Sequence, residues 1–293
     1  MNDAIRGFWV ATATPLAADG TVDTALLLPH VDSLFRRTAD GVVLFGTSGE
    51  GTSFSAAERL RAAEALLRHG VPADRIALGI GFPALDDTVA LGREALKLGL
   101  YQLLVLPPYF YHDAPAAGLE AGYARVFERI GRAEARYTLY HIPQVSGVAV
   151  PFEVPGHLRA RFGAMMAGVK DSSGEFAQFR AFRAASPDVA VCVGNETDIA
   201  RARAEGGVGT ICGMGNVVPG LVRAMFGSPD AEGPMRQALD VLKGPFVPAM
   251  RAILAAQIGC DAWRIPALPL LPADKAYGEA AARAIAQWEP AGG

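Results

Sequence analysis

The chain has 293 residues, is 51% hydrophobic and 19% charged, and carries a formal net charge of −3. That length suits one large domain or two ordinary ones with a sizeable core. Without a basic stripe or a charged tail, nucleic acid and anionic membranes are excluded as partners. Three cysteines, Cys192, Cys212 and Cys260, are widely spaced and odd in number. They fit neither a disulfide framework nor a zinc site and read as small buried hydrophobes. The start, Met1-Asn2-Asp3-Ala4-Ile5-Arg6, is unlike a signal peptide, and no apolar run is long enough to span a bilayer. The expectation is a cytoplasmic protein.

Strand-like and helix-like segments alternate along the chain. Strands are predicted over 8–14, 41–47, 76–81, 102–106, 137–142, 165–170, 189–193 and 209–213. Helices are predicted between them, over 24–39, 55–69, 86–98, 116–132, 152–162, 175–185, 197–205 and 219–226. Ser55-x-x-Glu58 has the form of a capping box, and Pro151 and Pro219 suit a first helical turn. Further helices are predicted over 234–242, 245–258 and 275–288. Eight strand–helix units in about 220 residues fit a (β/α)8 TIM barrel of the α/β class. Residues 1–228 would form the barrel and 229–293 a C-terminal helical extension of the same domain. The strands are near-continuous apolar runs, as strands covered on both faces should be. A doubly wound open sheet is the competing fold, but no G-x-G-x-x-G follows the first strand.

Only four of the 27 basic residues are lysines: Lys97, Lys170, Lys243 and Lys275. Lys170 stands out because it ends the apolar run Met165-Met166-Ala167-Gly168-Val169 and is followed at once by Asp171-Ser172-Ser173-Gly174. At the carboxyl end of a buried strand an amine is desolvated, and burial disfavours the ammonium form. A neutral amine can condense with a carbonyl to form a Schiff base. The plainer reading is a lysine whose stem packs while its head reaches water.

A barrel's active site lies at the carboxyl ends of its strands. Those ends supply Gly46-Thr47-Ser48-Gly49-Glu50, Pro108-Tyr109-Phe110-Tyr111, Tyr140-His141-Ile142-Pro143, Lys170, Gly194-Asn195-Glu196 and Gly213-Met214-Gly215. Hydroxyls and backbone N–H groups in the Gly-Thr-Ser-Gly turn suit a small carboxylate. An ordinary turn between strand and helix reads equally well there. Tyr140 offers a phenol that can pass protons beside a Schiff base. His141 is expected near the mouth. Zincin, P-loop and G-x-S-x-G motifs are absent.

Together these segments resemble the pyruvate-dependent class I aldolase family of N-acetylneuraminate lyase and dihydrodipicolinate synthase. Gly46-Thr47-Ser48-Gly49-Glu50 is similar to that family's pyruvate-carboxylate loop, usually G-[TS]-T-G-E. Tyr140-His141-Ile142-Pro143 is similar to its Y-N-[IV]-P segment, and Gly168 to Gly174 to its Schiff-base lysine segment. The resemblance implies a (β/α)8 barrel, commonly a homotetramer, working without metal or organic cofactor on a small-molecule 2-oxo acid. It makes Lys170 the imine-forming residue and Tyr140 the proton shuttle. Thr47 and Ser48 would hold the carboxylate. Ser172, Gly194, Asn195, Glu196 and Gly213 would line the substrate.

Two departures matter. Val145 stands where dihydrodipicolinate synthases carry an arginine for the second substrate's carboxylate, which favours the neuraminate-lyase type. Phe110 stands where many members have a relay tyrosine, leaving Tyr109 or Tyr111 to substitute. The expected function is a Schiff-base lyase, aldolase or dehydratase acting on a 2-oxo-3-deoxy sugar acid or related 2-oxo acid. A dihydrodipicolinate synthase with a rearranged aldehyde site is the alternative. A barrel that binds a 2-oxo acid without turnover is the alternative of another class.

Overall fold

The computed structural model describes residues 4–288. Eight strands form a closed barrel in the order β1 to β8. They are β1 (Gly7–Ala11), β2 (Gly41–Leu44), β3 (Ile76–Gly79), β4 (Gln102–Val105), β5 (Arg136–His141), β6 (Met166–Asp171), β7 (Ala190–Val193) and β8 (Gly209–Cys212). Between them lie α1 (Thr24–Arg36), α2 (Ala56–Arg68), α3 (Leu85–Lys97), α4 (Ala116–Ile130), the short α5 (Pro143–Ser146), α6 (Val154–Phe162), α7 (Phe176–Ala185) and α8 (Ile199–Ala204). After β8 come α9 (Pro219–Ala224), α10 (Glu232–Asp240), α11 (Phe246–Ile258) and α12 (Lys275–Ile285). The expected (β/α)8 barrel with a helical tail is therefore the observed fold. Every residue of β2 to β6 and of β8 is buried, which explains why these strands read as unbroken apolar runs. Among the described residues no helix is long and apolar enough to cross a membrane.

Two compact units divide the chain. Among the described residues one comprises 4–7 and Pro72–Ile211, and the other Phe8–Val71 and 212–288. In the first unit, parallel registers set Tyr140 beside Lys170 and Lys170 beside Cys192. Tyr137 stacks on Phe127 of α4 at 3.8 Å between ring centroids, so odd-numbered residues of β5 face the helices. Even-numbered ones, Tyr140 among them, face the barrel interior.

The second unit is organised around buried polar groups. The Asn216 side chain accepts from Ala13 N at 3.0 Å, donates to Ala11 O at 2.9 Å, and meets His30 Nε2 at 3.0 Å. The His30 ring also packs on Trp263, 4.8 Å between centroids. Burial pushes the His30 imidazole down to about 4, outweighing the hydrogen bond to Asn216. The unfolded chain takes up this proton near pH 6.5, whereas the folded chain resists until about 4. Stability contributed by neutral His30 is thus present above pH 6.5 and lost as pH falls toward 4. Between pH 7 and 4.5 the wild-type protein should lose roughly 2–3 kcal/mol more than His30→Gln. Denaturant midpoints at the two pH values measure this, and equal losses would contradict it.

Several local expectations need correction. Strand β2 ends at Leu44 rather than Thr47, because Phe45 turns left-handed (φ 58) and cannot continue the strand. Helix α6 begins at Val154, so Pro151 lies before it, and Pro155 occupies the first turn. Pro219 does open α9. Only half of the predicted capping box forms. Ser55 Oγ accepts from Glu58 N at 3.3 Å, but the Glu58 carboxylate accepts from Val22 N at 3.1 Å instead of returning to Ser55. Helix α5 was not predicted, since four residues carry no readable period.

Candidate active site

Lys170 and Tyr140 are each 3% exposed, and Lys170 Nζ lies 4.0 Å from the centroid of the Tyr140 ring. Adjacent parallel strands deliver the two side chains at matching register, so the pairing follows directly from β5–β6 hydrogen bonding. The amine is thereby screened from bulk water and held against an aromatic face. Cys192, on the other side of Lys170, is no competing nucleophile. Burial pushes its thiol up to about 12, and its Sγ contacts Val169 O at 3.5 Å.

The ends of β6 and β7 lie beside this pair. A side chain added at Gly194 would place its Cβ 1.8 Å from Ser172 Oγ and 3.3 Å from Lys170 Cε. Gly194 is therefore what allows the Ser172 hydroxyl to sit next to the Lys170 stem. Gln144 of α5 donates from Nε2 to Ser172 O at 2.6 Å, and Ser172 N donates to His141 O at 2.8 Å. Glu196 is buried, while Asn195 is half-buried and donates to Asp198 Oδ2 at 3.4 Å. Asp198, buried and bound to Arg201, was not anticipated from the sequence. Gly194→Ala should destabilise the fold by about 1–3 kcal/mol through overpacking. Adding Ser172→Gly should recover most of that loss in urea denaturation. Failure of the second change to help would mean the contact is not the source.

Thr47 and Ser48 lie in the turn that follows β2, within the other compact unit. Glu50 N donates to Thr47 O and Gly51 N to Gly46 O, both at 3.0 Å. A Cβ at Gly51 would fall 2.0 Å from Phe45 O, so only glycine lets the chain double back here. Gly213 plays a comparable part, since a Cβ there would meet Ser48 Oγ and the Phe246 ring at 2.6 Å.

Two buried guanidiniums that sequence reasoning missed hold this turn. Arg251 of α11 is 0% exposed; its Nη1 bonds Glu50 Oε1 at 2.7 Å and Thr14 O at 2.8 Å. Its Nη2 reaches Ile265 O. Arg59 of α2, 1% exposed, donates from Nη2 to Gly51 O at 2.6 Å. Glu50 itself is left-handed (φ 54) and also accepts from Ala267 N at 2.6 Å. Burial raises the Glu50 carboxyl above its ordinary range, against the pull of Arg251 and the hydrogen bonds. Glu50 is thus a structural anchor of the turn that presents Thr47 and Ser48.

His141 does not face the mouth as expected. It is 1% exposed, and its ring lies 5.0 Å from Phe182 and 6.4 Å from Phe152, in the layer between strand and helices. The strand's alternation decides this, since Tyr140 takes the interior face. In the loop after β4, Phe110 and Tyr111 are 76% and 69% exposed and contact each other edge-on, with Tyr109 half-buried. Val145, on α5, is 62% exposed. Among the described residues no group of three His, Cys, Asp or Glu side chains could hold a metal ion.

The structure thus combines a closed parallel barrel with an enclosed lysine–tyrosine pair. The chain belongs to the dihydrodipicolinate synthetase family, whose profile matches residues 4–285. Family members are class I lyases, and this chain is one. It is 35% identical over 276 residues to an uncharacterized DapA-like lyase of Chloroflexus aurantiacus, covering 90% of this chain and 92% of that one. It is 30% identical to the 4-hydroxy-tetrahydrodipicolinate synthase of Salinibacter ruber, over 73% of this chain and 70% of that one. A crystal structure of dihydrodipicolinate synthase from Agrobacterium tumefaciens superposes with a TM-score of 0.90 at 30% identity, covering 97% of this chain and all of that one. A 2-keto-3-deoxygluconate aldolase variant from Sulfolobus solfataricus has the same fold, with a TM-score of 0.83 at 19% identity over 96% of this chain and 95% of that one.

Proposed function

We propose that this lyase cleaves or dehydrates a 2-oxo-3-deoxy sugar acid or a related 2-oxo acid through an imine on Lys170. The observation that carries the reading is the buried Lys170–Tyr140 pair at 4.0 Å. In this mechanism the Lys170 amine adds to the 2-oxo carbon, and the resulting hydroxyl takes a proton from solvent and leaves as water, giving an iminium. In aldol cleavage the Tyr140 oxygen takes the proton of the C4 hydroxyl while its own proton passes to the relay formed by Tyr109 or Tyr111. The C3–C4 bond then breaks, an aldehyde departs, and the bond's electrons pass to the iminium as an enamine. Protonation at C3 and hydrolysis release pyruvate and the free amine. In dehydration the same iminium acidifies C3–H; the Tyr140 oxygen takes that proton as its own passes to the hydroxyl leaving from C4 as water.

Thr47 and Ser48 are assigned to the substrate carboxylate, supported by their likeness to the family's carboxylate loop and by the clamped turn that presents them. Ser172, Gly194, Asn195, Glu196 and Gly213 are assigned to the rest of the substrate, and Tyr109 or Tyr111 to proton relay. The catalytic unit on this reading is residues 1–228, with 229–293 as its helical extension, working as a cytoplasmic homotetramer without a cofactor. Exposed Val145 argues against a second carboxylate in the aldehyde portion, because no guanidinium stands there to pair with it. The relatives named 4-hydroxy-tetrahydrodipicolinate synthase support the alternative.

A panel of 2-oxo-3-deoxy acids, scored for release of pyruvate or of a 2-oxo semialdehyde, tests the reading. Turnover of at least one member is expected. Condensation of pyruvate with aspartate semialdehyde, and no turnover of the panel, would replace it with the synthase reading.

A further inference from the structure

Behind the catalytic pair lies a second pair, His141 and Asp171, which are also register partners on β5 and β6. Both are buried, at 1% and 5% exposure. His141 Nδ1 accepts a hydrogen bond from Val150 N at 3.0 Å. Its Nε2 therefore carries the proton and donates to Gln178 Oε1 of α7 at 2.5 Å. The imidazole thus ties the end of β5 both to the returning chain at Val150 and to α7. The excursion closed by the first bond contains α5, whose Gln144 is bonded to Ser172 O just past Lys170. On the other strand, Asp171 Oδ1 accepts from Ser173 N at 3.0 Å, and Asp171 O accepts from Gly194 N at 2.7 Å.

We infer that His141 is a positioning residue for the lyase reaction: its neutral ring clamps Val150 and Gln178 to the end of β5 and thereby fixes Tyr140 over Lys170. The inference rests on the imine reading of Lys170. The clamp works only with Nδ1 unprotonated. A second ring proton would point at the Val150 N–H, setting donor against donor. Burial holds the His141 imidazole below its ordinary range, against the hydrogen bond to Gln178 and the charge of Asp171. The groups that face it are Asp171 on β6, neutral Gln178 on α7, and the Phe152 and Phe182 rings. Burial raises the Asp171 carboxyl, and the nearby Asp198 charge adds to that rise.

The test follows exchange of the pyruvate methyl protons with deuterated water by NMR, which needs no knowledge of the aldehyde. His141→Leu removes both bonds and should slow saturated exchange roughly 10–100-fold, with half-saturation by pyruvate little changed. His141→Asn keeps an acceptor for Val150 N and should recover most of the rate. On the acid side of the ordinary imidazole range the wild-type rate should fall more steeply than that of His141→Asn, whose amide does not titrate. Exchange by His141→Leu within twofold of wild type would overturn the inference alone. If His141→Leu does not fold, the pH comparison decides, and identical acid limbs in wild type and His141→Asn would overturn it. No exchange and no trapped imine in the wild-type protein would remove the imine reading and this inference together.

Discussion

Replacing Tyr140 by phenylalanine is expected to lower turnover roughly 10²–10⁴-fold while leaving imine formation at Lys170 intact. The substitution removes one oxygen and keeps the ring that lies over the amine, so the 4.0 Å packing of Lys170 survives. What is lost, on the proposed reading, is the group that moves the proton of the substrate hydroxyl as the carbon–carbon bond breaks. Steady-state turnover and borohydride trapping, measured on the same preparation, separate the two effects. Near-normal turnover would exclude Tyr140 as the acid/base. Loss of trapping would mean that the phenol is needed to form the imine as well.

The second large effect falls on stability. Arg251→Met is expected to destabilise the fold by about 3–5 kcal/mol, because it strands the buried Glu50 carboxylate. Arg251 is 0% exposed, and its contacts to Glu50, Thr14 O and Ile265 O draw together three separate stretches of chain. With the guanidinium gone, Glu50 keeps only the N–H of Ala267 and meets the full cost of its burial. A carboxyl raised in the folded state stabilises most below its unfolded value and loses that contribution as pH rises. The variant's deficit should therefore narrow as pH falls toward about 4.5. Combining it with Glu50→Gln should restore part of the loss, because the buried charge is then gone. Urea denaturation of the single and double variants at two pH values measures this. Additive losses would show that the ion pair is not the source.

The fold was readable from the sequence because fully buried parallel strands leave apolar runs, and their regular spacing leaves the βα beat. Lys170 was readable for the opposite reason, as a cation at the end of such a run. Tyr140 took its weight from likeness of motif, and strand register is what sets it beside Lys170. Register depends on hydrogen bonding between distant segments and leaves no local mark in the chain. His141 was misplaced for a related reason. Being next to Tyr140 in sequence puts it on the opposite face of β5. Arg59 and Arg251 were missed although both carried a signal. Arg251 is a lone charge inside the apolar helix Phe246–Ile258, and Arg59 shares the buried stripe of Ala62, Ala63 and Leu66. A charge that interrupts an apolar face implies a buried partner, and each holds the Thr47–Ser48 turn.

The proposed chemistry depends on an amine sheltered well enough to capture a ketone. The most direct measurement is reduction with borohydride in the presence of pyruvate, followed by mass mapping of the peptides. A stable pyruvyl adduct on the peptide carrying Lys170, absent without pyruvate and absent in Lys170→Ala, is the expected result. An unmodified Lys170 peptide, or an adduct confined to Lys97, Lys243 or Lys275, would contradict the account.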